Sequence, residues 1–279
     1  MKLLIILLFS FGALGAYTPS KKLKLYAFNC GDIITGPLLA LFTRKYQDLW
    51  APKKEWISTC FLIRHPKGDL LWDTGLDDNY AHLKKGKSFF FGLTIHKVKT
   101  PLLQNLKKLG ILPKNIKFVG ISHLHEDHTG NLRHFVNSKI LIQEEEKKAA
   151  FSLFPSTYFF KFDHYKSLNA QIVGLKGDHD VFGDGKVMII KAPGHTPGHQ
   201  VLLVRLKQSG SFILAGDLYH TNFNRETKVI PFFVTHNGQN LKESIEKIEN
   251  LRKKEKAKIW IQHEPAHYKK ALKPPLYYD

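Results

Sequence analysis

Within six residues, His123, Leu124, His125, Glu126, Asp127 and His128 set three imidazoles and two carboxylates directly after the apolar stretch Ile116 to Ile121. The apolar stretch reads as a strand and the polar run as the loop at its end. Imidazole nitrogens and carboxylate oxygens suit Zn, Mn, Fe or Ni, and buried side chains of these types need partners to offset their desolvation. The spacing says more than the count. On an extended segment His123 and His125, two apart, turn their rings the same way, and a tight turn through Asp127 and His128 would bring a second pair beside them. The rival is a polar surface loop of scattered histidines, which the later segments of the chain argue against.

Those segments are Pro193 to His199, the pair Gly216 and Asp217 after the apolar run Phe212 to Ala215, and His263 after Ile259 to Ile261. Together with Ser122 to Gly130, which resembles an HxHxDHxG signature, they resemble the four ordered motifs of the metallo-β-lactamase superfamily. The likeness covers about Leu25 to His267. It implies a first metal on His123, His125 and His195, a second on Asp127, His128 and His263, and Asp217 as the bridge. By the same resemblance the cofactor is two divalent ions per chain, zinc first among them. His199 is a tempting further ligand, but Pro197 and Gly198 interrupt any helical pairing with His195. The family likeness gives His199 a structural hydrogen bond instead.

Leu25 to Gly31, the hairpin Thr59 to Gly75 and the phrase His195 to Gln200 look most like the N-acyl-homoserine lactonase branch. That implies a hydrolase opening the lactone ring of N-acyl-homoserine lactones or related lactones, with Asp127 as a catalytic group. In that branch a tyrosine three residues beyond the bridging aspartate helps hold the substrate carbonyl. Here that place falls to His220, with Tyr219 one residue earlier, so both are candidate catalytic residues. The same metals would polarise another ester, a thioester, a β-lactam or a phosphodiester, and these remain alternatives. A secreted, non-catalytic metal-binding protein is a third reading.

Met1, Lys2 and the apolar stretch Leu3 to Leu14, followed by small residues to Ala16, look like a secretory signal peptide, so residues 1–16 are expected to be removed. A retained anchor is the rival, although the stretch is shorter than the roughly 20 residues of a spanning helix. No later stretch is long and apolar enough to span a bilayer. Residues 17–279 then form one hydrolase domain, secreted or periplasmic, with no linker dividing it. The formal charge of +18 attracts anionic surfaces, yet the lysines are scattered without aromatic interleaving, so nucleic acid is not expected as a partner. The expected partner is a small-molecule substrate with an apolar acyl group. Cys30 and Cys60 lie outside every metal motif, and the sequence leaves open a disulfide between them or two buried thiols.

Strands followed by helices in each half give an α/β class, α+β in some schemes, and the family resemblance adds a four-layer αβ/βα sandwich with the metals where the two sheets meet. Leu23 to Phe28 reads as a strand ending in a turn at Asn29 to Gly31, and Thr59 to Arg64 with Asp69 to Asp73 as a hairpin. Asp77 to Thr100, with Phe89 to Phe91, is too rich in glycine and lysine for a clean buried strand and reads either as an insertion at the pocket mouth that offers apolar area to an acyl chain or as a flap packed on the core. Pro101 starts a helix stopped by Gly110, and Glu144 to Phe154 and Asn237 to Glu255 read as amphipathic helices. The aromatic segment Pro155 to Lys166 is a candidate substrate wall or core. Asp178, His179 and Asp180 resemble a metal cluster in isolation but read more simply as a hairpin connection before Gly183 to Gly185.

Overall fold

Alternation along the strands decides the architecture. In β1 (Lys24–Thr35), Leu25 and Ala27 point to one face while Tyr26 and Phe28 point to the other, and all four are buried. In β11 (Gln200–Leu206), Leu202 and Val204 likewise face away from Val201 and Leu203. A strand buried on both faces belongs to a sheet covered on both sides. Leu25, Phe61 and Trp72 of the first sheet pack against Leu202, Leu214 and Trp260 of the second, forming the central layer contact. The outer faces are covered by helices, giving the expected four-layer sandwich.

The protein is described here by a computed structural model covering residues 17–35, 55–89, 92–231 and 234–279. The signal-peptide reading of residues 1–16, and Phe90 and Phe91 of the flap, lie outside the described residues. Among the described residues the first sheet has eight strands in the order β4-β5-β1-β2-β3-β6-β7-β8. These are β2 (Glu55–His65), β3 (Gly68–Trp72), β4 (Lys87–Phe89), β5 (Thr94–Lys97), β6 (Ile116–Gly120), β7 (Lys139–Gln143) and β8 (Ile172–Leu175) beside β1. The second sheet runs β13-β12-β11-β10-β9, with β9 (His179–Asp180), β10 (Val187–Lys191), β12 (Gly210–Leu214) and β13 (Lys258–Trp260). Outside the first sheet lies α1 (Leu102–Lys108), and α3 (Glu144–Ala150) follows β7 after the short α2 (Glu126–Thr129) in the metal loop. Outside the second sheet, α5 (Gly238–Glu255) buries Leu241 and Ile248 against it. The short α4 (Asn222–Thr227) and α6 (Pro265–Lys270) follow the Asp217 and His263 segments in the chain.

Parallel pairing of β3 with β6 and of β12 with β13 sends four strand ends to one edge of the sandwich. Asp73, Ser122, Asp217 and His263 follow those ends. The hairpin of β9 and β10 is closed by Asp180, whose carboxylate accepts from the backbone N–H groups of Phe182, Gly183 and Gly185. Asp180 therefore ends β9 and caps the hairpin turn with its side chain, in line with the simpler reading.

Two expectations are corrected, the turn after the first strand and the end of the helix after Gln143. The turn at Asn29 to Gly31 is a bulge within β1, which continues to Thr35 and pairs with β2 on both sides of it. The Asn29 side chain fills the ladder gap by accepting from Gly31 N–H at 2.8 Å and donating to Asp32 at 2.8 Å. The flap segment forms no clean buried strand, as expected: its β4 and β5 are short and mostly exposed or half-buried, and they extend the first sheet on one side, where exposed lysines are tolerated. The helix after Gln143 stops at Ala150, leaving Leu153 and Phe154 exposed. Cys30 in the bulge of β1 and Cys60 on β2, whose register partner is Phe28, form a disulfide with a Cα separation of 5.8 Å, which settles the alternatives the sequence leaves open.

Candidate metal centre

The loop after β6 begins with Ser122, and its position is set by Asp73 at the end of β3. Asp73 adopts φ +56°, a left-handed conformation that aspartate tolerates better than most residues. This aims its carboxylate at the loop. One oxygen accepts from Ser122 N–H at 2.7 Å, and the other accepts from the Ser122 hydroxyl at 2.8 Å and lies 3.0 Å from His128 Nδ1. Two further imidazoles, those of His125 and His263, are also fixed at the nitrogen that faces away from the centre. His125 Nε2 lies 3.0 Å from the Tyr158 carbonyl and His263 Nδ1 2.8 Å from that of Ile57. Such contacts choose the tautomer and leave the other nitrogen free as a ligand atom. His199 ligates nothing: Nδ1 donates to the Ala192 carbonyl at 2.9 Å and Nε2 accepts from Asp217 N–H at 3.0 Å.

Seven side chains converge as two groups, His123 with His125, His195 and Asp217, and Asp127 with His128 and His263. In the first, His123 Nε2 is 2.9 Å from His125 Nδ1 and 3.1 Å from His195 Nε2, while His195 Nε2 is 3.1 Å from His125 Nδ1 and 3.3 Å from Asp217 Oδ2. In the second, His263 Nε2 is 3.3 Å from Asp127 Oδ2, and Asp217 Oδ1 stands 3.3 Å from His128 Nε2 and 3.1 Å from His263 Nε2. Tetrahedral ligands about 2.0–2.1 Å from a zinc ion are separated by about 3.3 Å, so both groups have the edge lengths of such a cage. Asp217 offers one oxygen to each group. Three imidazole nitrogens this close cannot all be served by hydrogen bonds among themselves. His128 Nε2 and Asp217 Oδ1 are buried with no hydrogen-bond partner among the described residues, which a bound cation would satisfy. The donor set fits divalent metal ions.

Electrostatics favours the same occupancy. Burial and the neighbouring imidazoles push His123 well below the ordinary histidine range, and burial brings His125 down to about 4. Neutral imidazoles are ready ligands. Burial also lowers His128 and His263, but the nearby carboxylates of Asp127 and Asp217 outweigh it and hold both above the ordinary value. Burial opposes ionisation of Asp217, yet His263 and His128 keep it well below the usual carboxylate range. In the second group protons therefore stand where a cation would, and metal binding there is expected to release them.

His220 and Tyr219 part company. His220 Nε2 is 3.4 Å from Asp217 Oδ2, and its ring lies beside His195 and His263 on the cleft wall. Tyr219 is turned the other way into the contact with α5, where its hydroxyl meets Glu249 at 3.1 Å. Consecutive residues past a strand end face opposite sides, so Tyr219 is corrected to a packing residue and only His220 reaches the centre. Of the aromatic segment, Phe159 and Phe160 line the cleft, whereas Phe162 and Tyr165 pack on Phe151.

Two features escaped the sequence reading. Glu146 in α3 is fully buried and accepts from Leu124 N–H at 2.9 Å, Gly198 N–H at 2.8 Å and the Thr196 hydroxyl at 2.8 Å, tying the first metal loop to the second. Its only sequence signal was its place on the same helix face as Ala149 and Ala150. Trp56 stands over the centre with its ring 6.0 Å from His220 and 5.9 Å from His263. A cleft of about 400 Å³ opens beside it, lined by Ile33, Phe89, Leu93 and Phe160 as well as by His125, Asp127 and His263.

Two sheets meeting at an edge that carries these ligand groups are the architecture of one superfamily. The chain belongs to the metallo-beta-lactamase superfamily, whose model matches residues 54–263. Among its relatives, it is 31% identical over 234 residues to the N-acyl homoserine lactonase AttM of Azorhizobium caulinodans, covering 78% of this chain and 86% of that one. It is 31% identical over 210 residues to the N-acyl homoserine lactonase AiiA of Bacillus thuringiensis subsp. kurstaki, covering 74% and 80%. A solved N-acyl homoserine lactone hydrolase with the product N-hexanoyl-L-homoserine bound at its catalytic metal centre superposes with a TM-score of 0.73 at 25% identity, covering 91% of this chain and 98% of that one.

Proposed function

We propose that the chain is a dinuclear metal-dependent hydrolase that opens the lactone ring of N-acyl-homoserine lactones or related lactones. The observation that carries this reading is the largely apolar cleft opening onto the two ligand groups, which offers an acyl chain a dry wall beside a polar reacting end. The named relatives support it. His123, His125 and His195 would hold one ion, Asp127, His128 and His263 the other, and Asp217 would be shared. Two zinc ions bound there would supply a nucleophile at neutral pH and an electrophile for the ring carbonyl.

The chain's own groups do the remainder. Asp127 keeps its carboxylate ionised against its burial through His128 and His263, and it lines the cleft. There it can take a proton and return it to the leaving alkoxide. Burial brings His220 down to about 4, so its ring is neutral at working pH and can donate a hydrogen bond to the oxygen that gains charge. Zinc- and cobalt-loaded protein given a panel of acyl-homoserine lactones should show ring opening, with Asp127→Asn reduced by about 100-fold or more. No turnover above that variant contradicts the reading, and cleavage of phosphodiesters with every lactone untouched favours the alternative hydrolase.

The proposal includes export, to the periplasm or the medium, after cleavage following Gly15 or Ala16. The Cys30–Cys60 disulfide supports an oxidising compartment. Intact mass of the exported protein should give an N-terminus at Ala16 or Tyr17, and a chain retaining Met1 would contradict it.

A further inference from the structure

One wall of the cleft is not apolar. Thr94, His96 and Glu126 stand among its aromatic and aliphatic residues. His96 is buried, with Phe89 stacked on its ring at 4.2 Å, and both its nitrogens are engaged within the wall: Nδ1 lies 3.1 Å from Glu126 Oε1 and Nε2 lies 3.2 Å from the Thr94 hydroxyl. Glu126 differs from its neighbours. One carboxylate oxygen faces His96, while Oε2 makes no hydrogen bond to a described residue although the side chain is only 20% exposed. A carboxylate placed among aromatics carries a desolvation cost that a single partner offsets in part. Glu126 also lies between His125 and Asp127 in the chain, so it borders the reacting end of the cleft rather than the far end of an acyl path.

We propose that Glu126, held in place by His96, is a specificity-determining residue that accepts a hydrogen bond from a hydroxyl close to the amide end of the substrate's acyl chain. This rests on the lactonase reading and names a substrate class within it: β-hydroxyacyl lactones, in preference to unsubstituted ones, with β-oxoacyl lactones last. A hydroxyl donates to the carboxylate, an unsubstituted chain leaves it without a second partner, and a ketone brings an acceptor against an acceptor. Sites built around a hydrogen bond to substrate reject analogues that lack the group.

If Glu126 served only to pin the β4–β5 edge to the metal loop through His96, its replacement would lower all substrates alike. The test is therefore a ratio. The zinc-loaded wild type is given β-hydroxyacyl, unsubstituted and β-oxoacyl homoserine lactones of one chain length, and kcat/KM should favour hydroxy over oxo by about tenfold or more. Glu126→Leu should reverse the order between hydroxy and unsubstituted chains. Glu126→Gln, whose amide both donates and accepts, should bring hydroxy and oxo close together, with metal content measured for each variant. A wild-type hydroxy-to-oxo ratio at or below one overturns the inference whatever the variants do, as does an unchanged ratio in variants that keep their metal. Equal ring opening of all three series removes this inference alone, whereas no ring opening of any series removes the lactonase reading with it.

Discussion

At the scale of single residues, the centre depends on buried groups that never touch substrate. Asp73 orients Ser122 and His128, and Glu146 joins the loops that carry His125 and His195. Burial raises Glu146 from 4.5 to about 7, against the three hydrogen bonds it accepts. Its folded value lies above its unfolded one, so its contribution to stability is complete below about 4.5 and is lost as pH rises through about 7. Glu146→Gln turns an amide donor toward a backbone N–H or the Thr196 hydroxyl and should cost about 1–3 kcal/mol at low pH. Denaturant unfolding of the metal-free proteins should show the wild-type advantage shrinking between about pH 5 and about pH 8, since the amide does not titrate. A difference independent of pH would contradict the account.

At the scale of elements, what the sequence makes legible is what repeats or punctuates. Asn237 caps α5 by accepting from Asn240 N–H at 3.0 Å, and Leu241 and Ile248 recur on its buried face, so that helix was readable nearly to its ends. Pro101 before α1 and the hairpin of β2 and β3 were readable for the same reason. The bulge in β1 was not, because Asn29 and Gly31 have turn chemistry and only pairing with β2 keeps the strand going. β4 and β5 are short, partly exposed strands at one side of the first sheet with little alternation to detect. In the site, ligands grouped in motifs were legible, whereas the directions of Tyr219 and His220 were not, since one residue of phase past β12 decides which faces the cleft. Glu146 was hidden among acidic neighbours that equally suit a helix N-terminus.

For the whole molecule, the sandwich is a device for bringing two sheets' strand ends to one edge. β6 delivers His123 and the loop behind it, while β12 and β13 deliver Asp217 and His263, and neither sheet alone holds a complete ligand group. Cross-links between the sheets keep the halves in register: Gln200 donates to the carbonyls of Ile121 and Leu141, and the Thr59 hydroxyl donates to that of Gln262. Asp217 occupies the junction, with one oxygen toward each group. Two divalent ions placed close together repel each other, and a shared carboxylate offsets that repulsion while fixing their separation. The most direct test of this account is metal analysis and lactone ring opening on matched preparations of the wild type and Asp217→Ala. The wild type should hold about two metal ions per chain, and Asp217→Ala should lose at least one of them together with about 100-fold or more of the hydrolysis. An Asp217→Ala protein that keeps both metals and near-wild-type hydrolysis would contradict it.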